Sequence, residues 1–88
     1  MHTYAEILGS LCELLPSFAG EWKGEIGEDT DLVGELGLSS MKIMDLLMEV
    51  EDRFDVTIPL NRLAKIRTVG DLAAMLETLV NHSLGQSD

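Results

Sequence analysis

The chain has 88 residues, enough for one core and too few for two, and its six Lys and Arg face sixteen Asp and Glu, a formal net charge of −10. That balance argues against nucleic acid and anionic membrane as partners, since both are bound through cations that replace counterions. A basic protein surface fits it better, the other reading being that acidity serves solubility alone.

With 45% hydrophobic residues but one Trp, one Tyr and two Phe, Leu, Ile, Val and Met must fill the core, which suits packed helices better than a β-sandwich. The first helix is expected from Thr3 or Tyr4 to Leu15. Thr3-Tyr4-Ala5-Glu6 fits a capping box, Ile7, Leu8, Leu11, Leu14 and Leu15 form one apolar stripe, and Pro16 marks the stop. Cys12 lies in that pattern as a small core residue. It is the only cysteine, so no internal disulfide exists, and His2 and His82 are too few to build a zinc site with it. The N-terminus has neither a basic flank nor a long apolar run. The expectation is therefore a cytoplasmic protein without signal peptide or membrane insertion.

A long connection follows, from about Pro16 to Leu38, with glycines at 20, 24, 27, 34 and 37. Loops of this length in compact domains are functional or carry structure of their own. Trp22, Ile26, Leu32, Val33 and Leu36 are the residues available to pin it to the core, with a helical turn near Asp31 to Glu35. The second long helix is expected from Ser40 to Phe54, with Ser39 as N-cap. Ile43, Leu46, Leu47, Val50 and Phe54 fall on its core face at about 100° per residue. Asp45, Glu49 and Asp52 lie roughly opposite, and Met41, Met44 and Met48 form a stripe between. Asp55-Val56-Thr57-Ile58-Pro59 reads as extended or loop-like, a short helix covers Leu60 to Ala64 or Lys65, and Thr68 opens the last helix with Asp71 at capping-box distance. Val69, Leu72, Ala73, Leu76, Leu79 and Val80 are its apolar face, and residues 83–88 form a polar tail. The expected fold is all-α: a small four-helix bundle, three longer helices and one short, with a long loop between the first and second. The expected domain is single over residues 1–88, its core about residues 3–82.

Gly37-Leu38-Ser39-Ser40-Met41, then Glu49-Val50-Glu51-Asp52-Arg53-Phe54 and Ile58-Pro59, resembles the acyl carrier proteins. Their motif is a Gly-x-Asp-Ser-Leu turn before an acidic helix that ends in a Glu-x-x-Phe-like segment and Ile-Pro. Lys65-Ile66-Arg67-Thr68-Val69 with Asp71-Leu72 also resembles the family's entry into its last helix, so the likeness covers roughly Asp29 to Leu79. The offset of the serine turn from Phe54 and Ile58-Pro59 makes the combination specific. The resemblance implies that Ser40 carries a 4′-phosphopantetheine arm, transferred from coenzyme A by a phosphopantetheinyl transferase. Acyl or aminoacyl groups would ride on it as thioesters, and the protein itself would catalyse nothing. A helix N-terminus suits the phosphodiester, since free amides and the dipole favour an anion.

Two positions depart from the motif. Ser39 replaces the usual Asp and brings no negative charge to transferase recognition, and Met41 replaces Leu. Such variation points to a specialised lipid, polyketide or non-ribosomal peptide pathway, the alternatives being a housekeeping fatty-acid carrier or an acidic interaction bundle without the arm. The resemblance also implies docking of acyl-loading and acyl-processing enzymes, through basic patches, on Ser39, Met41, Met44, Asp45, Met48, Glu49 and Asp52. Of these Met44 lies nearest the apolar face and is expected in the core or a pocket. Arg53, Arg62, Lys65 and Arg67 are expected to pair with nearby carboxylates. A discrete carrier is expected rather than an excised module, since the chain begins with Met and both ends resemble natural termini, and a monomer is expected. Asp29-Thr30-Asp31 imitates the opening of a calcium loop, but Val33 and Ser40 stand where side-chain ligands are required, so no metal is expected.

Overall fold

The computed structural model describes residues 3–20 and 24–85, so Trp22 and the end of the tail lie outside the described residues. The elements in order are α1 (Tyr4–Leu14), α2 (Pro16–Ala19), α3 (Ser40–Phe54), a 3₁₀ helix (Leu60–Lys65) and α4 (Val69–Gly85). The described residues are thus all-helical apart from turns and a single isolated bridge. The four-helix expectation needs two changes: the short fourth member is a 3₁₀ helix, and an extra one-turn helix, α2, occupies the start of the expected loop.

The capping box of α1 forms as expected. Thr3 Oγ1 accepts from the Glu6 amide and Glu6 Oε1 accepts from the Thr3 amide, both at 3.2 Å. Ile7, Leu11, Leu14 and Leu15 are buried and Leu8 is half-buried. α1 ends at Leu14 with Leu15 as its C-cap, so Pro16 marks the stop of the first helix as expected, and it also opens a second one. It takes the first helical position of α2, where its missing N–H costs nothing and its fixed φ suits the turn. Leu15 remains right-handed at φ −58°, ψ −36° and joins the two helices. α2 in turn ends at Gly20, at φ 63°.

The long connection is fastened at three levels. Cys12 Sγ donates to the Ile26 carbonyl at 3.2 Å, so this half-buried thiol ties α1 to the loop, and burial pushes its pKa up. Tyr4 donates its hydroxyl to Glu28 Oε1 at 2.7 Å, which helps raise its pKa to about 12. Three backbone bonds then clip the loop to the entry of α4: Gly70 N to Glu28 O (2.8 Å), Val69 N to Thr30 O (3.0 Å) and Leu32 N to Arg67 O (2.9 Å). An antiparallel bridge joins Asp31 and Thr68, and Arg67 Nε lies 3.9 Å from Asp31 Oδ2. Asp31 Oδ1 also accepts from the amides of Val33 and Gly34, at 3.0 and 2.8 Å. The turn this builds buries Leu32 and Leu36 and leaves Val33 58% exposed. Val33 therefore does not pin the loop, because one residue beyond Leu32 it projects from the other side of the turn. Leu38 takes up that role and is buried.

In α3, Leu46, Leu47, Val50 and Phe54 are buried and Ile43 is half-buried. Asp55 ends the helix in the left-handed conformation (φ 56°, ψ 50°), which Asp tolerates better than most residues. Glu51 secures the exit, its carboxylate accepting from the Ile58 amide at 2.6 Å. Arg67–Asp31 is the one cation–carboxylate pair within 4.0 Å among the described residues, so Arg53, Arg62 and Lys65 do not pair as expected. They project from exposed positions at or beyond the end of α3.

α4 packs on α1 and buries Val69, Leu72, Ala73, Leu76 and Val80, together with Met75, which the apolar pattern had not singled out. It continues past Ser83, the expected start of the tail, to Gly85. Its entry is held by a reciprocal cap. Asp71 N donates to Thr68 Oγ1, while Asp71 Oδ2 accepts from the amides of Thr68 and Arg67, all at 3.1 Å.

Two expectations follow. A Cβ on Gly70 would lie 2.8 Å from the Glu28 carbonyl oxygen and 3.1 Å from the Tyr4 hydroxyl. Gly70→Ala should therefore lower the melting temperature, although alanine is the better helix former by about 1 kcal/mol in an open helix. The two backbone amides hold the Asp71 carboxyl below its ordinary value of 3.8. A depressed carboxylate stabilises the fold above its unfolded-state pKa and loses that contribution as pH falls through the folded-state value. Urea midpoints of the parent and Asp71→Ala should thus differ at pH 7 and converge as pH drops below 3.8.

Candidate functional site

Gly37 stands at φ 68°, a conformation that costs a residue with a Cβ about 1–2 kcal/mol. Its amide donates to Val33 O and the next amide, Leu38 N, donates to Leu32 O, both at 3.1 Å. The turn is therefore closed on itself, and burial of Leu38 fixes where α3 begins. Ser39 follows in extended conformation (φ −76°, ψ 170°), and its Oγ accepts from the Lys42 amide at 3.2 Å, the N-cap expected from the sequence.

Ser40 is the first residue of α3 and is exposed. No hydrogen bond engages its hydroxyl among the described residues, and no base there aligns it for nucleophilic work, so a triad has no support. The Ser40 and Met41 amides, at the first two helical positions, have no acceptor within the helix. An exposed hydroxyl beside open amides is a donor set that fits a phosphodiester attached at this oxygen. The departures from the family motif are benign in the structure: Ser39 still caps, and Met41 is 79% exposed, so its exchange for Leu disturbs no packing.

Down α3 from Ser40, Asp45, Glu49 and Asp52 are all exposed. Met48 is 67% exposed, and Met44 is 44% exposed instead of completing the core or a pocket as expected. The half-buried Ile43 and the buried Leu46 and Leu47 fill the space beneath, which leaves Met44 on the surface with its neighbours. The structure thus brings Ser40, Met41, Met44, Asp45, Met48, Glu49 and Asp52 onto one helix, with Ser39 at its N-cap, and all of these residues are exposed.

Two features near the site are not legible from its motif. Lys42 occupies the first turn, and with Phe18, Ala19, Gly20, Glu35, Leu36 and Gly37 it lines an open hollow of about 490 Å³. Glu51 holds the far end of the helix, and a glutamate seven residues before the Ile-Pro step was the signal available for it. Among the described residues no cluster of three His, Cys, Asp or Glu is arranged to hold a metal. The Asp31 carboxylate of the calcium-like stretch is occupied by backbone amides.

Comparison with known proteins agrees with this geometry. The family described as "Phosphopantetheine attachment site" matches residues 9–76. An acyl carrier protein of Exiguobacterium sibiricum is 33% identical over 78 residues, covering 89% of this chain and 99% of the relative. One from Rhodococcus erythropolis is 31% identical, covering 89% of this chain and 86% of its own. A meromycolate extension acyl carrier protein of Mycolicibacterium smegmatis is 31% identical over 77 residues, covering 88% and 78%. The chain belongs to the acyl carrier protein family, non-enzymatic carriers whose prosthetic group is 4′-phosphopantetheine.

Proposed function

We propose that Ser40 is the attachment point of the 4′-phosphopantetheine arm, and that the chain carries acyl or aminoacyl groups as thioesters for a specialised lipid, polyketide or non-ribosomal peptide pathway. The observation that carries the reading is the Ser40 hydroxyl, exposed and unbonded at the first position of α3. When bound, the arm supplies a thiol on a long tether that holds the cargo. Ser39 orients the helix start, the amides of Ser40 and Met41 face the phosphodiester, and the Gly37 turn keeps the hydroxyl clear of the core. The specialised pathway is supported by Ser39 and Met41 at motif positions, and by a relative named for meromycolate extension. The relatives named simply as acyl carrier proteins favour the second reading, a housekeeping fatty-acid carrier.

Asp45, Glu49 and Asp52 with Met41, Met44 and Met48 form the docking face for the transferase and the acyl-loading and acyl-processing enzymes. Exposed carboxylates speed and orient encounter with basic patches, and unbranched thioethers adapt to more than one partner. The protein works as a single-domain monomer in the cytoplasm. The described residues contain no helix long and apolar enough to cross a membrane.

Incubation with coenzyme A and a promiscuous transferase should add a phosphopantetheine-sized mass to the intact protein. Ser40→Ala should abolish the gain, and Ser39→Ala should retain it while losing about 1 kcal/mol of stability as its cap is lost. A protein that gains no mass with several transferases is not this carrier. Reversal of Glu49 to Lys should slow association with the transferase by roughly tenfold at low salt and leave a shallower salt dependence, measured by stopped flow. An unchanged association rate would remove α3 from the docking face.

A further inference from the structure

Lys42 stands on the wrong side of a simple electrostatic rule. The first turn of α3 contains no acidic residue, and its charged side chain is this lysine. A cation at the positive end of a helix is electrostatically unfavourable. No carboxylate compensates Lys42 among the described residues, where the ion pair found is Arg67–Asp31. Lys42 instead lines the hollow between α2 and the Gly37 turn. The apolar side of that hollow is Phe18, Ala19 and Leu36, and its backbone side is Gly20 and Gly37. Among the described residues its one carboxylate is Glu35, which is engaged by the Asp31 amide at 2.9 Å. Neither glycine carbonyl accepts a hydrogen bond among the described residues, and a Cβ built on either would meet nothing within 4 Å. The volume of about 490 Å³ falls within the range of about 300–1,000 Å³ typical of small-molecule sites.

We propose that this hollow is the resting site of the arm on Ser40, with Lys42 pairing the phosphodiester and the Phe18–Ala19–Leu36 wall covering the aliphatic portion. This rests on attachment at Ser40. Residues two apart on a helix point to different sides, so the path from Ser40 to Lys42 crosses the helix end, past the open amides of Ser40 and Met41. The anion there neutralises the lysine and the dipole together. Among the described residues no donor takes the Gly20 and Gly37 carbonyls, and they can accept from the amide N–H groups of the pantetheine chain. The face so used is not the methionine face, and a resting arm leaves Met41, Met44 and Met48 free for a partner.

The test compares apo and fully loaded protein by ¹H–¹⁵N and ³¹P NMR, with intact mass establishing the loading. Loading should shift the amides of Gly20 and Gly37 and the ring resonances of Phe18, beyond the shifts at residues 39–42 that attachment alone produces. In loaded Lys42→Gln the Gly20 and Phe18 shifts should vanish and the ³¹P resonance should move, the mass gain being unchanged. Shifts confined to residues 39–42, shifts running instead along Met41 and Met44, or a Lys42→Gln spectrum identical to the parent would overturn the resting site and leave the carrier assignment standing. Absence of the mass gain would overturn both.

Discussion

The short backbone clip between Glu28–Leu32 and Arg67–Gly70 is the constraint on which the rest of the molecule depends. The connection between α2 and α3 spans about twenty residues, and a segment of that length has many conformations to lose on folding. Three main-chain hydrogen bonds to the entry of α4 remove much of that freedom at once. They also place Asp31, whose carboxylate organises the next turn through the Val33 and Gly34 amides. Leu32, Leu36 and Leu38 are then delivered to the core, and the chain leaves Leu38 with Ser39 already extended for capping. The position of Ser40 is thus set from the opposite end of the chain, by residues around Thr68 that never approach it in sequence. Gly70 is part of the same device, because a side chain there would push the Glu28 carbonyl away.

The electrostatics divide the molecule in a consistent way. Carboxylates used structurally are bonded to backbone amides: Glu6 and Asp71 at helix starts, Asp31 and Glu35 in the turn, Glu51 at the helix exit. Among the described residues Asp45, Glu49 and Asp52 on α3 accept no such bond, and they stay exposed beside three methionines. The net charge of −10 is therefore not spread evenly in function. Part of it builds the fold, and part of it is presented on the helix that begins at Ser40.

Much of this was legible in the sequence, for local reasons. The bounds of α3, the Ser39 cap and the boxes at Thr3–Glu6 and Thr68–Asp71 depend on residues three or four apart, where sequence and geometry are nearly the same thing. The exposure of Met41, Met48 and the three carboxylates follows from the helical period. What was not legible required knowing neighbours. Pro16 marks the end of α1 as its chemistry suggests, but that it also opens α2 follows from the packing of Phe18 and Ala19 against the core. Met44 and Met75 carry the same side chain, yet one is surface and the other is core, because different elements cover them. Val33 points outward because Asp31 sets the turn. The hollow at Lys42 is assembled from two segments fifteen or more residues apart, and no motif marks it.

The bare methionines of α3 bear on how long any complex lasts. A long flexible side chain such as methionine gives up as much as about 1.5–2 kcal/mol of rotamer freedom when it is immobilised, so a partner covering Met41, Met44 and Met48 gains apolar contact and forfeits part of it in the same step. A rigid aromatic patch of equal area would hold on longer. Softness of this kind shortens residence times, and a molecule that must visit one enzyme after another is limited by departure as much as by arrival.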